Sequence, residues 1–314
     1  EKYYFGRAYT GISNMEVIHW CWAQAWWTNS PPDNRDMKGT YGLILVSLLW
    51  TSCNKGTEKI EFGSNDGGLI RINDKNIYYE EYGHGTPLLL LSGGGLNRSI
   101  KDFEKCIPVL SNHFRVIAPD TPGQGKSEQT DSLSYALLTD FMSKFIDSLT
   151  VDSVYIMGLS DGAIVALLLA DKRADKVKRI IAVGANNGTR GFVLPEGFSL
   201  DSVKIPSVDY WAKYHEKDIE WYNTLTPKKD WRKMANNLNL MWYGKEYFPM
   251  SVYESIKVPT MIVLGDRDDI SIEHGLEMHQ LIKNSQYCVL PNTTHEVFAE
   301  RPDLISKIAI DFFK

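Results

Sequence analysis

The sequence predicts an α/β domain, a mostly parallel sheet covered on both faces by helices. Three observations carry that prediction. Short, continuous apolar runs recur along the chain, the mark of strands buried on both faces. Segments with apolar residues at i, i+3 and i+4 fall between them and read as helices. The alternation holds from residue 69 to the end, as it does where strands are joined by crossover helices. Leu69–Asn73 and Asn76–Tyr82 alternate polar and apolar residues about a turn at Asp74-Lys75, which predicts an antiparallel edge hairpin. Pro87–Leu91 predicts the first buried strand, a helical stretch follows near Ile100–Leu110, and Arg115–Ala118 is the next strand. Helix Leu137–Leu149, strand Ser153–Met157, helix Asp161–Ala170 and strand Arg179–Val183 continue the rhythm. An interruption at about residues 186–256 is rich in aromatics and reads as short helices. Inserted after a strand of such a sheet, it is expected to form a cap over the strand ends, where sites in these sheets lie. Strand Thr260–Leu264, helix Glu273–Ile282, strand Gln286–Leu290 and helix Leu304–Phe313 close the pattern.

Composition narrows the function. The 314 residues carry 34 Lys and Arg against 39 Asp and Glu, a net charge of −5. The basic residues are scattered, so nothing resembles the clustered footprint of a nucleic-acid binder. Four cysteines show neither a disulfide framework nor metal-ligand spacing. No apolar stretch reaches the ~18 residues a membrane-spanning helix needs. Cys106 and Cys288, in an expected helix and strand, read as buried apolar residues.

The first part of the chain reads differently. Residues 1–36 hold Trp20, Trp22, Trp26 and Trp27 without helical or strand period, and are expected to be a non-native or upstream segment. Met37-Lys38, an apolar run from Tyr41 to Trp50 and Thr51-Ser52-Cys53 have the order of a secretory signal: positive start, short apolar core, small-residue site. Residues 37–52 are therefore expected to be a signal peptide. The cysteine after Thr51-Ser52 resembles the acylated residue of a bacterial lipoprotein, although Trp50 stands where such signals usually carry Leu. Lipidation of Cys53 would make residues 53–68 a membrane tether and place the protein in the cell envelope; the alternative is a periplasmic or secreted protein cleaved nearby.

The chemistry converges on one serine. Gly158-Leu159-Ser160-Asp161-Gly162 sits where a strand meets a helix, a turn that lifts the serine side chain out of the sheet with a helix N-terminus behind it. A serine nucleophile needs a base, and the base an orienting group. Gly265-Asp266-Arg267-Asp268-Asp269 and Pro291-Asn292-Thr293-Thr294-His295 both follow expected strands, so all three stations lie at one edge of the sheet in the order Ser, Asp, His. His274 and His279 are expected to face solvent from a helix. His215, in the cap, is either a substrate contact or simply exposed.

With these motifs in place, residues 69–314 resemble the α/β-hydrolase superfamily along nearly their whole length. Leu88–Gly95, Asp120-Thr121-Pro122-Gly123-Gln124-Gly125-Lys126-Ser127 and Glu300-Arg301-Pro302 add to the match. The resemblance implies Ser160 as nucleophile, His295 as general base and Asp268 as its orienter, with Asp266 and Asp269 as alternatives to Asp268. It implies an oxyanion hole made by the backbone N–H of Asp161 and one from Gly93-Gly94-Gly95, Gly94 first and Gly95 second. Ser92 stands where many members carry His, a departure of little weight because the donor is backbone. The Asp161 carboxylate reads either as a contact for a cationic substrate group or as a favourable charge at a helix N-terminus. The implied activity is a serine hydrolase acting on a small-molecule ester, thioester or lactone, without cofactor or metal. The alternatives are carbon–carbon bond hydrolysis in the same scaffold and a non-catalytic ligand binder.

Overall fold

The computed structural model describes residues 62–194, 199, 204–225, 230–243 and 247–314. The expected upstream segment 1–36, the signal 37–52 and Cys53 lie outside the described residues. Among the described residues, no helix is long and apolar enough to cross a membrane.

The strands are β1 (Gly68–Ile72), β2 (Lys75–Tyr82), β3 (Pro87–Leu91), β4 (Arg115–Pro119), β5 (Val154–Leu159), β6 (Val177–Val183), β7 (Thr260–Gly265) and β8 (Ser285–Leu290). They form one sheet in the order β1-β2-β4-β3-β5-β6-β7-β8. β2 pairs antiparallel with β1 and β4, and the remaining neighbours pair parallel. The hairpin turn differs from the expected Asp74-Lys75 by one residue: Ile72 pairs with Lys75, and Asn73 and Asp74 form the turn at φ 47° and 61°. A two-residue hairpin of this kind needs positive φ at both central positions, which Asn and Asp tolerate better than Lys.

The apolar runs divide their side chains between two cores. Leu89 and Leu91 join the apolar cluster of α2 (Tyr135–Ser148), α3 (Asp161–Lys172) and α8 (Ile272–Leu281) on one face. Leu88 and Leu90 join α1 (Ile107–Leu110), α9 (Val297–Glu300) and α10 (Pro302–Phe313) on the other. Each fully buried leucine contributes about 1.5–3 kcal/mol, so burial on both faces holds the sheet between its helices. The single helix expected near Ile100–Leu110 is instead a 3-10 turn, Ile100–Phe103, followed by α1. Pro108 has no N–H with which to continue a helix begun at Ile100, and Pro is accepted only in the first turn of α1.

The interruption is a cap of four described helices, α4 (Val208–Tyr214), α5 (Glu216–Leu225), α6 (Trp231–Trp242) and α7 (Ser251–Ser255), between β6 and β7. Trp211, Tyr222, Trp231, Phe248 and Tyr253 are buried and belong to the same apolar cluster as α2 and α3. Helix α6 rests on the loop after β4, where Asn237 Nδ2 donates to the Asp131 carbonyl (3.2 Å) and Gln129 Nε2 to the Asp230 carbonyl (3.1 Å). The end of the expected tether is also fixed. The Gly63 N–H donates to Glu80 Oε2 (2.9 Å), Asn65 Nδ2 to Tyr82 Oη (3.3 Å), and the Phe62 ring lies 5.4 Å from that of Tyr82. The folded part thus includes Phe62, upstream of the expected start at Leu69, because these polar residues find partners on β2.

Candidate active site

Ser160 stands between β5 and α3 at φ 52° and ψ −116°, a conformation that residues with a Cβ rarely adopt. Its N–H donates to the Val183 carbonyl at the end of β6 (2.8 Å). The flanking glycines follow from close approach. A Cβ on Gly158 would lie 2.4 Å from the Gly162 carbonyl, and one on Gly162 would lie 2.1 Å from the Leu91 carbonyl oxygen. The end of β3, β5 and the first turn of α3 are pressed together with no room for side chains, and Ser160 stays partly exposed between buried Leu159 and Asp161.

Asp268, in the turn after β7, has a fully buried carboxylate. It accepts the N–H groups of Gly265 (3.2 Å) and Ile270 (3.0 Å), and its Oδ1 lies 2.7 Å from His295 Nδ1. Of the three candidate carboxylates, Asp268 is the one that meets His295. Asp266 instead accepts the Thr293 N–H (2.9 Å), and the Asp269 carbonyl accepts the Val193 N–H (2.8 Å). Burial works to lower the His295 pKa, but the adjoining Asp268 carboxylate outweighs it and holds the imidazole above its ordinary 6.5. His295 packs against Gly184, where an added Cβ would lie 2.5 Å from the ring. Gly184 directly follows Val183, the acceptor for the Ser160 N–H, so the end of β6 borders both the Ser160 backbone and the His295 ring.

The glycine loop closes the other side. A Cβ on Gly93 would lie 3.6 Å from Ser160 Cβ, and one on Gly94 only 1.8 Å from Asp161 Oδ2. The loop is gripped from behind: Asp102 Oδ2 accepts the Gly93 N–H (3.0 Å), and buried Gln124 donates to the carbonyls of Gly93 (3.0 Å) and Gly95 (2.8 Å). Gln124 was visible as part of the Asp120–Ser127 motif, but its role as a strut was not.

The Asp161 carboxylate is buried and doubly held. Trp242 Nε1, at the end of α6, lies 3.1 and 2.8 Å from its two oxygens, and Tyr135 Oη donates to Oδ1 (2.8 Å). Burial raises its pKa, against the two hydrogen bonds. Asp161 is therefore a junction between catalytic turn and cap, a role the sequence reading did not include. The histidines differ from expectation too. His274, expected to face solvent, is buried under the turn after β6, where its Nε2 accepts the Asn187 N–H (3.3 Å) and burial lowers its pKa to about 4. His279 is half-buried, with Nδ1 2.8 Å from Ser285 Oγ. His215 is half-buried against Trp211 and lies 2.9 Å from Asp218. Cys106 is buried and Cys288 half-buried. Among the described residues, no group of His, Cys, Asp and Glu could hold a metal ion.

Comparison with known proteins agrees with this architecture. The family model described as "Alpha/beta hydrolase family" matches residues 88–308. The serine hydrolase BPHL of Homo sapiens is 25% identical over 301 residues, covering 88% of this chain and 98% of that protein. The 2-hydroxy-6-oxo-2,4-heptadienoate hydrolase of Pseudomonas putida is 26% identical over 268 residues, with 78% and 95% covered. A solved serine hydrolase involved in carbazole degradation superposes with a TM-score of 0.65 at 21% identity, covering 79% of this chain and 98% of its own. The family match runs from β3 into α10 and takes in the glycine loop, the serine turn, Asp268 and His295, so the chain belongs to the alpha/beta hydrolase family and is a hydrolase.

Proposed function

We propose that the chain is a serine hydrolase that cleaves a small ester, thioester or lactone through an acyl-enzyme on Ser160. The observation that carries this reading is the convergence on one turn. The Ser160 backbone N–H donates to the Val183 carbonyl, His295 packs on the next residue, Gly184, and Asp268 orients the imidazole. His295 takes the hydroxyl proton as Ser160 Oγ attacks the substrate carbonyl. The oxyanion accepts from the Asp161 N–H, one of the first helical amides with no intrahelical partner, and from Gly94, since Asp102 already takes the Gly93 N–H. The proton passes from His295 to the leaving group. A water activated by the same imidazole then hydrolyses the acyl-enzyme and restores Ser160.

The test is labelling of the full chain with a fluorophosphonate, which needs no knowledge of the substrate, followed by a panel of esters, thioesters and lactones. Labelling is expected at Ser160 and absent in Ser160→Ala, with turnover falling by about 10⁴- to 10⁶-fold. A folded wild-type protein that takes no label refutes the nucleophile assignment. Two 2-hydroxy-6-oxo dienoate hydrolases among the relatives support a second reading, cleavage of a carbon–carbon bond beside a ketone. Turnover of a 2-hydroxy-6-oxo dienoate, with the ester panel inert, would select that reading over the first.

A further inference from the structure

Two loops must meet for this chemistry, one bringing the oxyanion donor and the other the base, and they come from opposite ends of the sequence. Arg98 lies between them. Its guanidinium makes a two-pronged contact with Glu296, the residue after His295: Nη1 to Oε2 is 2.9 Å, and Nη2 donates to Oε1. Nη1 also reaches Asp102 Oδ1 at 3.5 Å, and Asp102 Oδ2 accepts the Gly93 N–H (3.0 Å). An unbroken polar chain thus runs from the Gly93 N–H, through Asp102 and Arg98, to Glu296, the residue that follows His295. The Arg98 side chain is 19% exposed, that of Asp102 7% and that of Glu296 32%, so water screens the Asp102 contact little and the Glu296 fork more. Beneath the chain, Phe103 and Phe298 pack edge to face with centroids 4.8 Å apart. That apolar floor holds the two segments together without Arg98, which leaves the guanidinium to fix their final register.

We propose that Arg98 is a positioning residue that clamps the oxyanion loop to the His295 turn, through its fork on Glu296 and its contact with Asp102. The proposal rests on the reading of Ser160 as nucleophile and His295 as base. A planar fork sets both distance and orientation, which a lysine cannot reproduce at a carboxylate. The clamp also sets charge. The groups facing His295 are Asp268, Asp269, Glu296 and the more distant Asp161, all acidic, and Arg98 is the cation that offsets Glu296. Removing Arg98 leaves the Glu296 carboxylate uncompensated and favours the imidazolium, while buried Asp102, already raised to about 6 with Arg98 in place, takes up a proton; removing the Glu296 charge disfavours the imidazolium.

The rate of fluorophosphonate labelling at Ser160, followed across pH, tests this in wild type, Arg98→Met, Arg98→Lys and Glu296→Gln. Labelling needs neutral His295, so the rate falls on the acid side of its pKa. Arg98→Met is expected to label about 10- to 100-fold more slowly at neutral pH, with its acid limb moved to higher pH. Glu296→Gln is expected to move the limb to lower pH. Arg98→Lys keeps the charge but loses the fork, so it is expected to be slow with the limb unmoved. A residue that merely stabilised the fold would lower rates without this opposed pair of shifts. If wild type is labelled while Arg98→Met and Glu296→Gln match it in rate and limb, or shift the same way, the clamp is refuted. If wild type takes no label, the nucleophile reading fails instead. Should Arg98→Met not fold, Glu296→Gln decides: a limb at lower pH supports the clamp, and an unchanged profile overturns it.

Discussion

Asp268 shows how much one carboxylate does at this site. It fixes its own loop through the Gly265 and Ile270 N–H groups and holds the imidazole of His295 from the third side. Asp268→Asn retains the shape but loses the charge that favours imidazolium and the acceptor that selects its tautomer. The expected result is a loss in kcat of about 10⁴-fold. The pH profile should change as well. The base is neutral His295, and its raised pKa puts the acid limb of kcat/KM above pH 6.5 in wild type; without the Asp268 charge the limb moves to lower pH. A profile unmoved by the substitution would show that Asp268 does not set the charge on His295. At this scale the residues alone left Asp266, Asp268 and Asp269 open as the acid after Gly265, and the family resemblance is what pointed to Asp268. His274 was misplaced, expected at the surface and found buried, because nothing local distinguishes a helical histidine facing water from one under a neighbouring turn. Arg98 was equally hidden, since its partner Glu296 lies 198 residues away.

Among the elements, the Trp242 indole joins the cap to the catalytic turn. Trp242 ends α6, stacks on Trp211 of α4 with centroids 6.0 Å apart, and donates to Asp161, whose backbone N–H is the proposed oxyanion donor. Trp242→Phe preserves the stacking and removes the N–H. The buried carboxylate then keeps only Tyr135, and leaving such a group under-bonded costs about 1–3 kcal/mol or more. The expected outcome is a kcat about tenfold lower, a misplacement effect, whereas Trp211→Phe, which removes an N–H bonded to Asn239 and not to Asp161, changes kcat little. Equal effects of the two substitutions would reduce Trp242 to packing. The cap helices were legible in outline from their aromatic richness, but this junction was not: it joins residues 81 apart, and no periodicity within α6 points to an acid on α3.

Across the whole molecule, the sheet was the most legible feature, because strands buried on both faces must be apolar throughout and so stand out as runs. The split of those runs between two cores follows from the alternation of side chains along a strand. Less legible were places where backbone conformation rather than burial decides, such as the Asn73-Asp74 turn and the broken helix before Pro108. Ser160 is the exception, a backbone-determined turn that its flanking glycines made legible. Its positive φ and unusual ψ place a side-chain-bearing residue where only glycine is at ease, a strain of about 1–3 kcal/mol, partly offset by the greater chain entropy glycine loses on folding. Ser160→Gly is therefore expected to unfold at a Tm about 2–4 °C above wild type while losing all activity, and calorimetry of the two proteins checks it. A Tm equal to or below wild type would mean the surroundings relieve the strain. The direction has a wider meaning: for this chain, abandoning catalysis is downhill in folding free energy, so the stability of the architecture gives no protection to its own nucleophile.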